Sequence, residues 1–587
     1  MKNKIYKTLV LPVCLAMAAL VSSCSMFDDY LTVMPTDKTT SETFWEDKND
    51  LMSVVAACYV QLANSTDKMF LWGELRSDNF LLTSEDKEDI RNIMNANLLP
   101  KSNIFDWSAF YKGIGFCNLC LQKGPEIVAK DASFQEGDWK PVEAELKALR
   151  ALFYFHLVRA FRDVPFVVVA NETSAGAIDP VPQTASEEIL TFLIKDLEGI
   201  KDYGMVNFGN DVFNKGRFTR RSIYALLADM YLWRASKNSS ADSIKKYPGE
   251  AEGDYRKVIE YVDKISAEVI ADFKKESVTY YGSTRSNFSK EQELPLYDIN
   301  RKVTRINDGV YFTIFNENFS LEDVFEICNA YRGITNAYFG YHDGSFHSGS
   351  LSAAAAFHQI SDKPDQANVA FSKTDLRAYE TIMKPAGNST NAVFNIIKGV
   401  AASVNINGTD DITNSNSSVD YEWTTTNYSY KTYRMTDLLL MKAEAIACLQ
   451  EYILRADDED MLKEGFRVAK GVFSRSNLMI KPEDDLLFEN YSSSQSLEDF
   501  VMRERQRELF GEGKRWYDLV RYALRNGSTS KMLNLLVSKY SSNASAIRAK
   551  LATINSLYNP VYEDEMKVNT GLVQNPAWVT DDTSTRN

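Results

Sequence analysis

The run Ile223, Leu226, Leu227, Met230 and Trp233 constrains this chain more than any other feature. Apolar residues at i, i+3, i+4, i+7 and i+10 fall on one face of an α-helix and on no single face of a strand. Ala225 and Ala228 beside that face allow a neighbour to approach closely. After a polar loop, Tyr255, Val258, Ile259 and Val262 mark a second helix, and the two segments predict a helix pair of the tetratricopeptide kind. Two further pairs are predicted, Ala144 to Phe161 with Glu187 to Ile200, and Thr436 to Leu449 with Glu459 to Phe473. No strict period of about 34 residues relates them. The expected fold class is therefore mainly α, with irregular helix pairs inside a larger scaffold.

The first residues follow a different plan. Lys2, Lys4 and Lys7 form a basic start, an apolar run extends from Leu9 to Val21, and Val21-Ser22-Ser23-Cys24 resembles the box cut by the lipoprotein signal peptidase. A thiol is the group that can take a diacylglyceryl thioether, so Cys24 is the expected lipidation site. Each buried methylene contributes about 0.8 kcal/mol, and more than one acyl chain makes the anchor stable. The apolar run is too short to serve as a spanning helix. Residues 1–23 are thus expected to be removed, residues 24–45 to act as a lipidated tether, and residues 46–587 to form one domain. No linker-like stretch divides that body.

Composition excludes several function classes. A net charge of -14 and a pI near 5.1 oppose nucleic-acid binding, which needs a basic face to neutralise phosphate. Of the seven cysteines, Cys14 leaves with the signal and Cys24 is lipidated, so an odd set remains and a fully paired disulfide framework is not expected. Cys117-x-x-Cys120 has no second pair and reads as buried helix thiols rather than a zinc or redox motif. His342, His347 and His358 lack metal-ligand spacing, His156 lies in an apolar helical stretch as a core histidine, and no metal or cofactor is implied. There is no Gly-x-Ser-x-Gly elbow and no phosphate-binding glycine loop. A glycosidase needs two carboxylates about 5 to 9 Å apart, and nothing singles out such a pair among 80 acids.

Long, weakly periodic stretches separate the helices, from about Glu276 to Gln359 and from Gly387 to Tyr428, and together form a loop-rich insert at about 276–428. The first holds Tyr280, Tyr281, Tyr331, Tyr338, Phe339, Tyr341 and Phe346, with Asn329, Arg332, Asn336 and Asp343 between them. Aromatic faces pack on the apolar faces of pyranose rings while amides, carboxylates and guanidinium groups bind hydroxyls. The same rings would equally serve as buried anchors that pin a long loop.

A series of motifs resembles one family in order along the chain. Asp28-Asp29-Tyr30-Leu31-Thr32-Val33-Met34-Pro35 and Thr43-Phe44-Trp45 are similar to the start of SusD-like (RagB/SusD) outer-membrane nutrient-binding lipoproteins. Gly73 to Asn79, Leu149 to Phe155 with Asp163-Val164-Pro165, Phe325-Glu326-Ile327, Asp375-Leu376-Arg377 and Tyr433 to Ala445 follow. The most specific block is Arg505 to Arg521. Gln574-Asn575-Pro576-Ala577-Trp578 departs from the family's Gln-Asn-Pro-Gly-Tyr ending.

The resemblance implies a SusD-like helical scaffold with tetratricopeptide-like pairs and long ligand-binding loops. It also implies a non-catalytic protein at the outer membrane, facing the cell exterior. There it would capture oligosaccharide or polysaccharide and deliver it to a SusC-like TonB-dependent transporter. Peptide capture by the same family and surface glycoside hydrolysis are the alternatives. The site expected is the loop from Tyr331 to Tyr341, with Tyr331, Arg332, Asn336, Tyr338, Phe339 and Tyr341, together with Asp78, Asn79 and Tyr281. The C-terminal block reads as structural. Ser496 with Asp499 is expected to cap a helix that Gly511 and Gly513 end, and Arg503, Arg505, Arg507 and Arg515 to pair locally with Glu504, Glu508, Glu512 and Asp518. Arg434, Asp437 and Glu444 are expected in buried ion pairs.

Overall fold

The computed structural model describes residues 44–83, 87–170, 180–279, 293–297, 314–315, 319–328, 330, 334–342, 345–346, 349–357, 360–383, 395–399, 401–407, 418–423, 429–477, 480–540 and 542–579. Cys24, Tyr281, Tyr331 and Arg332 lie outside these residues, as do the side chains of Asn336 and Tyr341. Among the described residues no helix is long and apolar enough to cross a membrane.

Ten main helices carry the fold. They are α1 (Lys48–Glu74), α2 (Ser108–Lys130), α3 (Glu136–Phe161), α4 (Ser186–Glu198), α5 (Arg220–Asn238), α6 (Glu250–Thr279), α7 (Met435–Cys448), α8 (Glu459–Ser476), α9 (Ser494–Glu508) and α10 (Arg515–Asn526). Their starts follow local chemistry. Asp47 accepts from the amides of Asn49 and Asp50 to open α1, and Thr219 and Ser222 form a reciprocal cap on α5. Helix α9 begins one cap earlier than expected: Ser493 accepts from Ser496, and Ser496 returns the bond, so Ser496 closes the box rather than opening it. Gly511 and Gly513 do end this segment, both at φ +74.

The three predicted pairs form, α3 with α4, α5 with α6 and α7 with α8. Helix α6 also packs on α7, α9 on both α7 and α8, and α10 on α5 and α1. Helix α5 is more deeply placed than its apolar stripe implies. Ile223, Leu226, Leu227, Met230 and Trp233 are buried, but so are Tyr224, Asp229, Tyr231 and Arg234 on its other faces. Those polar groups are satisfied internally, Tyr224 on Asp202, Tyr231 on Glu198, Asp229 on Arg159 and Arg234 on Asp254.

Close packing at α2 and α3 depends on two glycines. A Cβ on Gly113 would collide with the Phe153 ring, and one on Gly124 with the Trp139 indole. On the same helix Cys117 and Cys120 are buried free thiols, with the thiol of Cys58 from α1 beside them. His156 is a buried core histidine next to Arg159.

Short antiparallel ladders tie the loop-rich region back to the helices. Strand β1 (Phe80–Leu82), β2 (Asp323–Ile327), β3 (Leu351–Ala353), β4 (Ala401–Asn407), β5 (Ser418–Trp423) and β6 (Tyr430–Arg434) pair as β1 with β3, β2 with β6 and β4 with β5. In the β2 and β6 ladder Lys431 faces Glu326 in register and forms ion pairs with both Asp323 and Glu326. The terminal departure is accommodated by burial: the Trp578 indole donates to the Tyr558 carbonyl, and Asn575 donates to the carbonyls of Asn555 and Tyr558.

Arg434, Asp437 and Glu444 do lie in buried ion pairs, with Glu508 and Glu512, Arg505 and Lys514, and Arg521 and Arg525 respectively. The local pairing expected for the C-terminal arginines forms at Arg505 and Arg507 and is replaced by distant partners at Arg503 and Arg515. Arg503 bonds Asp365 and Arg515 bonds Asp78, whereas Arg505 keeps Asp518 at 2.9 Å and adds Asp437, and Arg507 keeps Glu504 and adds Asp365. Adjacent residues on a helix point in different directions, so Arg503 and Glu504 cannot share one face.

Candidate functional site

The predicted site residues fall in two regions. The first is the turn after α1. Arg76 lies over the Trp516 indole at 4.1 Å and donates to the carbonyls of Ser556 and Leu557, which fixes the turn against the C-terminal segment. Burial lowers its guanidinium to about 9. Asn79 has no exposed surface: its amide donates to Glu74 at 3.1 Å, and its oxygen accepts from Gln506 at 3.2 Å. Asp78 receives a two-pronged bond from Arg515, at 2.7 and 2.8 Å. Burial would raise the Asp78 carboxyl, but Arg515 overrides it and holds the group below its usual range.

Asp78 also lines a cleft of about 490 Å³. Ala354, Ala356, Ala367 and Ala370 with Met502 and Leu535 supply apolar surface. Asn368, Gln506, Asn534 and Ser538 supply neutral polar groups, and Asp499, Arg503, Arg507, Arg515, Lys531 and Lys539 supply charge. The volume falls within the range of small-molecule sites, about 300–1,000 Å³, and a few convergent polar groups over apolar surface are what such sites use for orientation.

The second region is the helical turn Thr335–Phe339. The Tyr338 ring stacks on Phe70 of α1 with centroids 5.7 Å apart, and its hydroxyl donates to Asp67 at 3.1 Å. Lys87 brings its ammonium to 5.9 Å from the same ring. Tyr338 is 7% exposed and Phe339 is 1% exposed, the latter edge-on to Phe70. Burial raises the Asp67 carboxyl. Gly349 sits so near this turn that a Cβ would collide with the backbone of Tyr338 and Phe339. Tyr341 opens a two-residue strand paired with Ser345–Phe346. Of the predicted residues, then, Asp78 meets the cleft, while Asn79, Tyr338 and Phe339 are engaged in packing or internal hydrogen bonds.

Sequence reasoning missed Asp67, Phe70 and Lys87 around Tyr338, and the cationic wall of the cleft. Asp67 and Phe70 have an i, i+3 relation on α1, but no local signal links them to a tyrosine 271 residues away. Lys531 and Lys539 belong to a short helical stretch without any motif. Among the described residues no group of His, Cys, Asp and Glu is arranged to hold a metal ion.

The site and fold can be set beside known proteins. The model of the SusD family matches residues 326–578, and a SusD-like model described as starch-binding associating with outer membrane matches residues 29–232. SusD-like protein P38 of Formosa agariphila is 24% identical over 515 residues, 85% of this chain and 88% of that relative. A SusD homolog from Bacteroides thetaiotaomicron superposes with a TM-score of 0.61 at 20% identity, over 91% of this chain and 100% of that one. Surface glycan-binding protein A from Bacteroides uniformis gives a TM-score of 0.59 at 19% identity, over 90% of this chain and 100% of that one. NanU of B. fragilis gives 0.58 at 17% identity, over 93% and 100%. The solved structures share its fold, and the two SusD family models, matching residues 29–232 and 326–578 in order, place the chain in the SusD family.

Proposed function

We propose that this protein is a surface lipoprotein, anchored through Cys24 to the outer membrane, that captures oligosaccharide or polysaccharide outside the cell. It passes the sugar, uncleaved, to a SusC-like TonB-dependent transporter. The observation that carries this reading is the cleft beside Asp78, about 490 Å³ in volume. Its alanine and methionine surface suits the apolar face of a pyranose, and its amides and guanidinium groups suit ring hydroxyls. A relative in fold is named a surface glycan-binding protein, and one matching family model is described as starch-binding. Moderate affinity fits a protein that hands its ligand onward, because transfer requires release. Tyr281, Tyr331, Arg332, Asn336 and Tyr341 are proposed to contribute to the same binding.

Calorimetry against a panel of polysaccharides and their oligomers, with product analysis in the same tubes and peptide mixtures in parallel, tests this. Sugar binding without cleavage supports it, and Asn534→Trp, which places a large ring at an exposed cleft position, should weaken binding at least tenfold. Binding of peptide alone, or sugar cleavage, overturns the proposal. Replacing Tyr341 by alanine should cost about 1 to 3 kcal/mol of binding if its ring stacks on the ligand.

A further inference from the structure

The cleft beside Asp78 holds more positive charge than its own acids use. Arg503, Arg507, Arg515, Lys531 and Lys539 line it, against Asp78 and Asp499, in a chain whose net charge is -14. Both oxygens of Asp78 are taken by Arg515. Beneath the wall, Asp365 receives Arg503 at 2.8 and 2.6 Å, Arg507 at 3.0 Å and the Tyr491 hydroxyl at 2.8 Å, so both of its oxygens are filled as well.

The donors are not exhausted in return. Arg503 uses Nε and one terminal nitrogen on Asp365, and Arg507 uses Nε on Glu504 and one terminal nitrogen on Asp365. Each guanidinium keeps its other terminal nitrogen free of any protein acceptor among the described residues. Lys531 bonds only the Gln495 amide oxygen, and Lys539 bonds the backbone carbonyls of Ser77 and Phe80, with no carboxylate in direct contact. The Asp499 carboxylate accepts from the Gln495 amide and forms no ion pair with these cations among the described residues. Partly buried cations with unused donors are stabilised by an anion, and hydrogen bonds between charged partners are about twice as strong as neutral ones.

We propose that this cleft selects an acidic sugar, and that the carboxylate or sulfate of the ligand is held by Arg503 and Arg507 with Lys531 and Lys539. The inference rests on the reading of the cleft as a sugar site and names the class of sugar. The apolar alanine surface takes the ring, while the anionic substituent meets the cationic wall. A neutral sugar fills the same space without using the unpaired donors, so discrimination follows from charge rather than from shape.

The test uses the purified protein and matched probes: an oligogalacturonide and its carboxyl-reduced form, and a sulfated galactan oligomer and its desulfated form. The expected result is that at least one acidic probe binds tenfold or more tighter than its neutral counterpart, with affinity falling as salt rises. The pair that shows the preference distinguishes carboxylate from sulfate. In the Arg503→Gln, Lys531→Gln double variant the preference should drop below threefold. Lys531→Gln alone, an exposed change that breaks one amide contact, should reduce it about threefold and keeps the test sound if the double variant does not fold. Equal binding of acidic and neutral probes, or a preference unchanged in these variants, overturns the inference while leaving a sugar site intact. Absence of binding by every probe together with the wider polysaccharide panel overturns the sugar site itself.

Discussion

Arg434 and Glu508, 74 residues apart in the chain, meet at 2.6 Å with neither side chain more than 1% exposed. Glu508 also receives Arg475 at 2.5 Å and Arg377 at 2.8 Å, so one carboxylate joins β6, α8, the segment at 375–381 and α9. Burial would raise its carboxyl, but Arg475 and then Arg434 and Arg377 hold it well below the usual range. Removing it leaves three buried guanidinium groups short of a partner. Glu508→Ala is expected to cost about 3–5 kcal/mol, measured as a shift in the denaturant midpoint. Glu563→Ala, which breaks an exposed pair with Lys567, should cost no more than about 1 kcal/mol. Similar costs at the two positions would contradict a central role for the buried network.

Glu444 makes the fold sensitive to acid. Burial acts to raise its carboxyl, yet Arg521 and Arg525 prevail and hold it at about 2, against an ordinary value of 4.5. A depressed carboxyl contributes stability that is present above its unfolded value and lost as pH falls through the folded one. Stability should therefore decline between about pH 4.5 and about pH 2. Glu444→Gln should flatten that slope and lower stability at pH 7. A variant with an unchanged acid slope would remove Glu444 from the cause.

Glu74 behaves in the opposite sense because it faces only neutral donors. Burial raises its carboxyl to about 8, offset in part by Asn79 and by the backbone amides of Lys514 and Gly513. The folded chain then holds a proton that the unfolded chain releases, so this contribution is full below about pH 4.5 and is lost as pH rises toward about 8. Glu74→Gln keeps an acceptor for Asn79 without the charge. It should gain stability relative to the parent as pH rises from 5 to 8, read as the difference in melting temperature across that range. A constant difference would show that Glu74 does not titrate there.

These carboxylates show which parts of the molecule were legible beforehand. The apolar stripes of α5 and α6 were readable because helical spacing records a face in the sequence itself. The partners of Arg503 and Arg515 were not, since their nearest acids in sequence point elsewhere and the true partners Asp365 and Asp78 come from distant loops. Tyr338 illustrates the same limit. An aromatic residue in a polar loop carries the same letters whether it faces a ligand or stacks on Phe70, and only tertiary packing separates the two. Asp78 was found through a motif, but the cleft it borders is assembled from α9, α10 and the residues at 354–370 and 531–539, none of which carries a binding signature.

Gly73 and Gly513 join the end of α1 to the turn that closes the C-terminal block. A Cβ on Gly73 would collide with the carbonyl of Gly513, and one on Gly513 with the Tyr430 hydroxyl, which itself donates to the Glu512 carbonyl at 3.0 Å. Gly513 also has φ +74, a left-handed conformation that costs other residues about 1 kcal/mol or more, and its amide donates to Glu74 at 3.1 Å. The obstacle at Gly73 is backbone, which cannot rotate away as a side chain does. Gly73→Ala is therefore expected to lose about 1–3 kcal/mol or more through overpacking, and Gly513→Ala to lose at least as much because strain adds to the clash. Gly137→Ala on α3 is the control, since no atom lies within 4 Å of a Cβ there, and it should be neutral or stabilising by up to about 1 kcal/mol. Denaturant titration of the three variants decides the matter: if Gly73→Ala is as well tolerated as Gly137→Ala, the close approach of α1 to the C-terminal turn does not hold the fold.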